Sequence, residues 1–166
     1  MVRTAGVAIT LSLLLVLMPG AAVLGALEHS VSANRVDFSL TLEEIHRILE
    51  EHGAAALPTD RAVLLDGVVA EITVIDPDPE SYLAQIDLVS GRWIGLQEVR
   101  LYRAYVFVQG STFAERISAR PLPGDAAGVI TLNSRVIVLG SIVDVFVDDD
   151  GTRAPIIEGF NLRPIN

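Results

Sequence analysis

Two runs of β-branched residues, each interrupted by one central glycine, constrain the fold more than any other part of this sequence. Residues 62–75 (AVLLDGVVAEITVI) align with residues 135–148 (RVIVLGSIVDVFVD) when Gly67 is placed on Gly140. Val and Ile favour strands, whereas a glycine inside a strong strand marks a bulge or a sharp bend. We therefore expect two long strands, each coiled so that it serves two sides of a barrel.

Three further segments have strand character: residues 82–88, 99–109 and 155–162. Turn sequences separate the strands at residues 76–81 (DPDPES), at Ser90-Gly91 and at residues 148–151 (DDDG), and residues 92–98 are predicted to link the second strand to the third. Residues 111–128 contain two prolines and predict a long connection between the third and fourth strands. Together these features predict a mainly β protein with a small five-stranded OB-like Greek-key barrel. A two-sheet sandwich is the alternative, although its seven strands are hard to place.

One short helix is predicted ahead of the barrel. Thr41 and Glu44 have the spacing of a capping box, and Gly53 closes the segment. Leu42, Ile45, Ile48 and Leu49 share one helical face. Residues 27–60 therefore form a connector with this helix, and residues 61–166 form the barrel domain.

The first 26 residues have the order of a secretory signal. A charged start at Arg3 is followed by an apolar run, a Pro19-Gly20 break and small residues. We expect a periplasmic or otherwise extracytoplasmic protein. The alternative is an uncleaved inner-membrane anchor formed by residues 5–27, because about 20 apolar residues suffice to span a bilayer. Leu27 stands where a lipobox would require the lipidated Cys.

The composition narrows the possible partners. About 140 residues follow the signal, enough for one domain with a real core. There is no cysteine, so no disulfide supports the exported chain. A formal net charge of −9 argues against general binding to nucleic acid or to anionic lipid. Contact with a membrane is expected only if the N-terminal segment is not cleaved.

Several segments resemble exported bacterial OB-fold proteins. They are LLDGVVAEI, YLAQIDLVSG, SRVIVLGSIVDVFVDDDG and PIIEGFNLRPI, with TLEEIHRILEEHG ahead of the first strand. The family they resemble is the BOF family of small periplasmic proteins and, more distantly, the Slp-type outer-membrane lipoproteins. The resemblance implies an OB barrel in the cell envelope and no catalytic residues.

The strand at residues 99–109 carries the most suggestive side chains for binding. Arg100, Tyr102 and Ala104 share one face, while Arg103, Tyr105 and Phe107 share the other. OB barrels bind oligonucleotides or oligosaccharides on this face, by aromatic stacking and by arginine contacts. The predicted ligand-binding residues are Trp93, Arg100, Tyr102 and Arg103, with Trp93 in a loop. The competing interpretation is that Tyr105 and Phe107 fill the barrel and that the arginines pair with acids such as Glu98.

Two weaker patterns in the sequence resemble metal sites. Glu43 and His46 have the i, i+3 spacing used in di-iron bundles, but a second such pair is missing. Residues 148–150 are three aspartates, but an EF-hand loop with Gly151 at its sixth position would begin at Phe146 and end at Ile157. The first pattern therefore predicts a solvated helix face, and the second predicts a polar turn. The sequence predicts neither a metal nor a cofactor.

The sequence lacks the catalytic motifs of common hydrolases. It has no Cys, no GxSxG or HExxH, and no histidine after residue 52. We therefore expect a non-enzymatic envelope protein that binds a protein partner or an oligosaccharide. Two alternatives remain: a structural envelope-stress or assembly protein without a small ligand and, least favoured, a carboxylate-based glycan hydrolase.

Overall fold

A computed structural model describes residues 36–120 and 128–165. The elements are β1 (Val36–Asp37), α1 (Leu42–His52), a 3-10 turn (Ala54–Ala56), β2 (Ala62–Asp76), β3 (Leu83–Ile94), β4 (Glu98–Gln109), α2 (Ser111–Ala114), β5 (Arg135–Val147) and β6 (Arg153–Pro164). The predicted signal, residues 1–26, lies outside the described residues. So do residues 121–127 of the connection between β4 and β5.

The strands close into a ring. The sheet order is β1-β2-β3-β4-β6-β5, and β2 also pairs with β5. Neighbouring strands of the ring are antiparallel, except that β4 and β6 are parallel. This is the Greek-key arrangement of the predicted OB-like barrel. The sheet has six strands rather than the five predicted, because the two-residue β1 adds in parallel beside Ala62 and Val63 at the edge of the ring.

The coiling predicted at the two glycines is confirmed. β2 pairs with β5 from Ala62 to Val68 and with β3 from Val68 onward, so the strand changes partner next to Gly67. On β5, the register with β6 shifts between Leu139 and Gly140. Both glycines lie where another strand approaches closely. Their lack of a side chain is what allows the ring to close.

The interior of the ring is aliphatic, and α1 packs against it. Alternate residues of the strands point inward and are buried, and the largest fully buried side chains include Leu65, Ile86, Leu88, Val106, Ile142, Ile157 and Leu162. Leu42, Ile45 and Leu49 of α1 join the same core. Within the described residues, no helix is long and apolar enough to cross a membrane.

The ends of α1 match the prediction, with one difference. The Glu44 amide donates to Thr41 Oγ1 at 3.2 Å, and the Gly53 amide donates to the Leu49 carbonyl at 3.2 Å, with Gly53 at φ +78°. The Glu44 carboxylate accepts from Arg47 instead of completing the capping box. The helix therefore begins and ends where its sequence predicts.

The link between β3 and β4, the second and third strands of the predicted barrel, was predicted wrongly. Ser90 and Gly91 lie inside β3, which continues to Ile94, and only residues 95–97 form the turn before β4. β3 and β4 pair along their full lengths, from Leu83 with Gln109 to Ile94 with Glu98. The result is a long hairpin that extends past the residues paired with β2 and β6.

Candidate binding groove

A groove opens where β4 and β6 separate. β6 pairs with β4 only from Tyr105 to Val108, so the earlier part of β4 has β3 on one side and an open edge on the other. The open edge faces α1 and the turn between β5 and β6, and the space between them is about 630 Å³. Its lining includes four consecutive β4 residues, Arg100 to Arg103. The groove therefore follows the strand edge.

His46 of α1 occupies part of this edge. The Gly110 amide donates to the Tyr82 carbonyl, so the even-numbered backbone groups of β4 point to β3 and the odd-numbered ones point away. His46 Nε2 lies 2.7 Å from the Arg103 carbonyl oxygen and 3.2 Å from the Arg103 nitrogen. Depending on its tautomer, the ring accepts from the N–H or donates to the carbonyl. The imidazole thus stands where a paired strand residue would be, and it contacts the Tyr102 ring at 5.5 Å between centroids.

The walls of the groove combine arginines with aromatic rings. Tyr105 of β4 meets Phe146 of β5 edge-on, with 5.4 Å between ring centroids. Arg153 Nη1 donates to the Leu49 carbonyl at 3.3 Å, near the C-terminal end of α1. The complete lining is His46, Leu49, Glu50, Val89, Arg100, Leu101, Tyr102, Arg103, Tyr105, Phe146, Asp148, Gly151, Thr152, Arg153 and Ala154. Such a surface can pair with anionic groups and stack planar or ring-shaped ones.

Arg103 is held by a buried acid on the neighbouring strand. Its Nε lies 3.2 Å from Asp87 Oδ1, and Asp87 is only 7 % exposed. The contact is an ion pair without the alignment of a hydrogen bond, so Oδ1 has no hydrogen-bond partner. Burial raises the pKa of the Asp87 carboxyl, Arg103 lowers it, and the carboxylate of Glu71, which faces Asp87 across the sheet, raises it further.

Replacing Asp87 with Asn is expected to change how stability depends on pH. A carboxyl with a raised pKa binds its proton more tightly in the folded state, so its ionisation removes stability as the pH rises above about 4 through that pKa. Asn is neutral throughout. The free energy of unfolding of Asp87→Asn should therefore rise, relative to the wild type, between pH 4 and pH 7. Urea denaturation at both pH values measures this difference, and a constant difference would contradict it.

The acidic turn between β5 and β6 is the polar turn predicted. The amides of Gly151 and Thr152 donate to the Asp148 carbonyl and to Asp150 Oδ1, at 2.9 and 2.8 Å. The Thr152 bonds lower the pKa of the Asp150 carboxyl. Within residues 36–120 and 128–165, no group of three or more His, Asp or Glu side chains is placed to hold a metal ion. Glu43 binds Arg92 on the hairpin, and His46 binds the β4 edge.

The structure brings three of the four predicted site residues to the groove. Arg100, Tyr102 and Arg103 line it, whereas Trp93 does not. Trp93 lies in β3 rather than in a loop, opposite Val99, and is 68 % exposed. Sequence reasoning missed His46, Phe146 and Arg153, which come from α1 and from the strands around the acidic turn.

The competing prediction about the barrel interior was wrong in its choice of face. Tyr102, Ala104, Val106 and Val108 point inward and are buried, while Tyr105 and Phe107 are half-buried on the outer face. Arg103 does pair with an acid, but the acid is Asp87 rather than Glu98. Tyr102 therefore lines the groove while its side chain packs in the core.

Comparisons with known proteins identify no relatives by sequence. No family model matches the chain, and no curated protein matches it. Among solved structures, the chain is similar to a Plasmodium falciparum SSB in complex with ssDNA, at 13 % identity and a TM-score of 0.41, over 63 % of this chain and 94 % of that one. The class of protein is therefore defined by strand order and register: an OB-like barrel with an open groove along β4, the third strand of the ring.

Proposed function

We propose that this protein is an exported, non-catalytic binding module that holds an acidic oligosaccharide of the cell envelope in the groove beside β4. The observation that carries the proposal is the lining, in which Arg100, Arg103 and Arg153 line the same groove as the Tyr105–Phe146 pair. Guanidinium groups bind carboxylates in a planar, two-pronged geometry, and aromatic faces pack against sugar rings. OB barrels use the equivalent strands for oligosaccharides.

The charge of the groove differs from that of the whole chain. Three arginines line the groove with two acids, Glu50 and Asp148, while the protein carries a net charge of −9. A long polyanion such as single-stranded DNA would be repelled by the rest of the surface. A short ligand with a few carboxylates would meet more arginines than acids in the groove and would avoid most of the acidic surface.

Export and the absence of catalysis rest on the sequence. Residues 1–26 have the order of a secretory signal, and the resemblance to BOF proteins supports an envelope location. The chain has no cysteine nucleophile, and its last histidine is His52. His46, the histidine in the groove, is engaged by the backbone of Arg103. These features favour binding over chemistry.

Replacing Arg100 with Gln tests the groove as the binding site. The probe is an oligomer of six uronic acid residues, measured by isothermal calorimetry against a neutral oligosaccharide of the same length. Losing one charge-assisted contact of about 1.5 kcal/mol should weaken binding of the acidic probe roughly tenfold. The matched control is Arg135→Gln, which removes an exposed arginine paired with Asp66 outside the groove and should leave affinity unchanged.

Three results would count against the proposal. They are equal binding of the neutral and acidic probes, equal losses for the two arginine variants, and tighter binding of a thymidine 15-mer than of the uronate. Each would show that the groove arginines do not select a short acidic glycan.

A further inference from the structure

The outer end of the β3–β4 hairpin exposes an unusual amount of apolar surface. Trp93, Leu96 and Leu101 are 68, 96 and 67 % exposed, and Ile94 and Val99 are also exposed. An apolar patch of this kind on a protein surface marks a site of association.

The hairpin also has an unpaired backbone edge. The odd-numbered groups of β4 point away from β3, and His46 engages only those of Arg103. In the described part of the chain, the amide and carbonyl groups of Val99 and Leu101 on this edge have no backbone partner. A free edge of this kind is a template for pairing with another strand.

The charges on the hairpin are self-complementary. Arg100 faces Arg92 directly across the hairpin, and like charges in that position destabilise a sheet. Arg92 binds Glu43, whereas neither Glu98 nor Arg100 has an ion pair among residues 36–120 and 128–165. Glu98 and Arg100 are two residues apart and therefore share a face of β4.

From these observations we infer that the hairpin is a self-association surface, on which β4 pairs antiparallel with β4 of a second copy around a two-fold axis at Val99. In this register Val99 of each copy exchanges both backbone hydrogen bonds with Val99 of the other. Glu98 of one copy lies opposite Arg100 of the other, twice by symmetry, and relieves the repulsion with Arg92. On the opposite face of the sheet, the cross-strand pair Trp93–Val99 of one copy lies beside the same pair of the other copy. The contact shields part of the apolar surface of both copies from water. The inference goes beyond the groove, with which the surface shares Arg100 and Leu101.

Charge reversal tests this pairing. Wild-type protein should form a dimer by sedimentation velocity between about 5 and 500 µM, with a blue shift of the emission of Trp93, its single tryptophan. Glu98→Arg alone, and Arg100→Glu alone, place like charges opposite each other and should each weaken the dimer at least tenfold. The double variant Glu98→Arg/Arg100→Glu restores opposite charges and should return the dimer. Its recovery also shows that the single variants do not act by unfolding.

Several outcomes would overturn the inference. They are a wild-type monomer at every concentration, single variants that dimerise as the wild type does, and a double variant that remains monomeric. A Trp93 blue shift on lipid vesicles from protein that stays monomeric in solution would assign the hairpin to a membrane instead. Glu98 does not line the groove, whereas the dimer pairs it with the groove residue Arg100 of the other copy. At a protein concentration low enough to keep the wild type monomeric, Glu98→Arg should therefore bind the uronate hexamer at least as tightly as the wild type. This result separates failure of the dimer from failure of the binding function.

Discussion

Gly140→Ala should destabilise the barrel by about 3 kcal/mol or prevent it from folding. A Cβ atom at this position would lie 2.4 Å from the carbonyl oxygen of Glu158 and 2.7 Å from Cγ2 of Ile157. The first of these atoms belongs to the backbone of β6, the strand that closes the ring against both β4 and β5. The carbonyl oxygen of Glu158 can move only if the β5–β6 ladder moves with it. The added methyl group therefore weakens strand pairing and cannot be accommodated by rotating a side chain. Urea denaturation of the purified variant measures the loss.

Gly91→Ala is the matched control for this variant. Gly91 also lies within a strand, but a Cβ there would meet only Cδ2 of Leu101 at 3.3 Å and Cγ1 of Val99 at 3.4 Å. Both atoms are side-chain ends on the exposed hairpin and can shift. The free energy of unfolding should therefore change by about 0.5 kcal/mol or less. Equal losses for the two variants would show that close approach at Gly140 does not limit ring closure.

The strands with the strongest local signals could be predicted from the sequence. The run around Gly140 begins and ends at the predicted residues, Arg135 and Val147, and α1 lies between its predicted Thr41 cap and Gly53. In these segments β propensity, glycine placement and helix capping all agree, so tertiary packing has nothing to override.

The length of the hairpin could not be predicted, because it is decided by pairing between the two strands and not by the turn preference of single residues. Ser90-Gly91 is typical of a turn, yet Gly91 pairs with Leu101 and Arg92 with Arg100. These partners are ten and eight positions apart along the chain. The turn preference of Ser90-Gly91 is therefore overridden by the cross-strand pairs of β3 and β4, which continue to Ile94 and Glu98.

The alternation of side chains along a strand shows which residues share a face, but it does not show which face is buried. Both faces of β4 carry a tyrosine and an arginine, so the sequence left the choice open. The inward face is set by Ala84, Ile86 and Leu88 of β3, which pack with Tyr102, Ala104 and Val106 inside the ring. The same limit applies to the groove, because His46 and Arg103 are 57 residues apart and meet only when α1 docks.

Tyr102→Ala should cost about 3 to 4 kcal/mol of stability, although Tyr102 was predicted as a ligand contact. Its side chain is buried, 7 % exposed, and packs in the core with its ring against His46, so truncation leaves a cavity that the barrel cannot fill. Tyr102→Phe keeps the ring and should stay within about 1 kcal/mol of the wild type. Urea denaturation at a protein concentration low enough to exclude dimers measures both.

Trp93→Ala is the contrast that separates the core from the surface on this hairpin. Its side chain is 68 % exposed, and the indole does not line the groove, so the free energy of unfolding should change by about 0.5 kcal/mol or less. A large loss in Trp93→Ala, or a negligible one in Tyr102→Ala, would contradict the inward orientation of the even-numbered face of β4. Because Tyr102→Ala lowers stability, a loss of ligand binding in that variant reports unfolding. The groove is therefore tested by Tyr102→Phe together with Arg100→Gln, in which the barrel stays folded and only the contacts offered to the ligand differ.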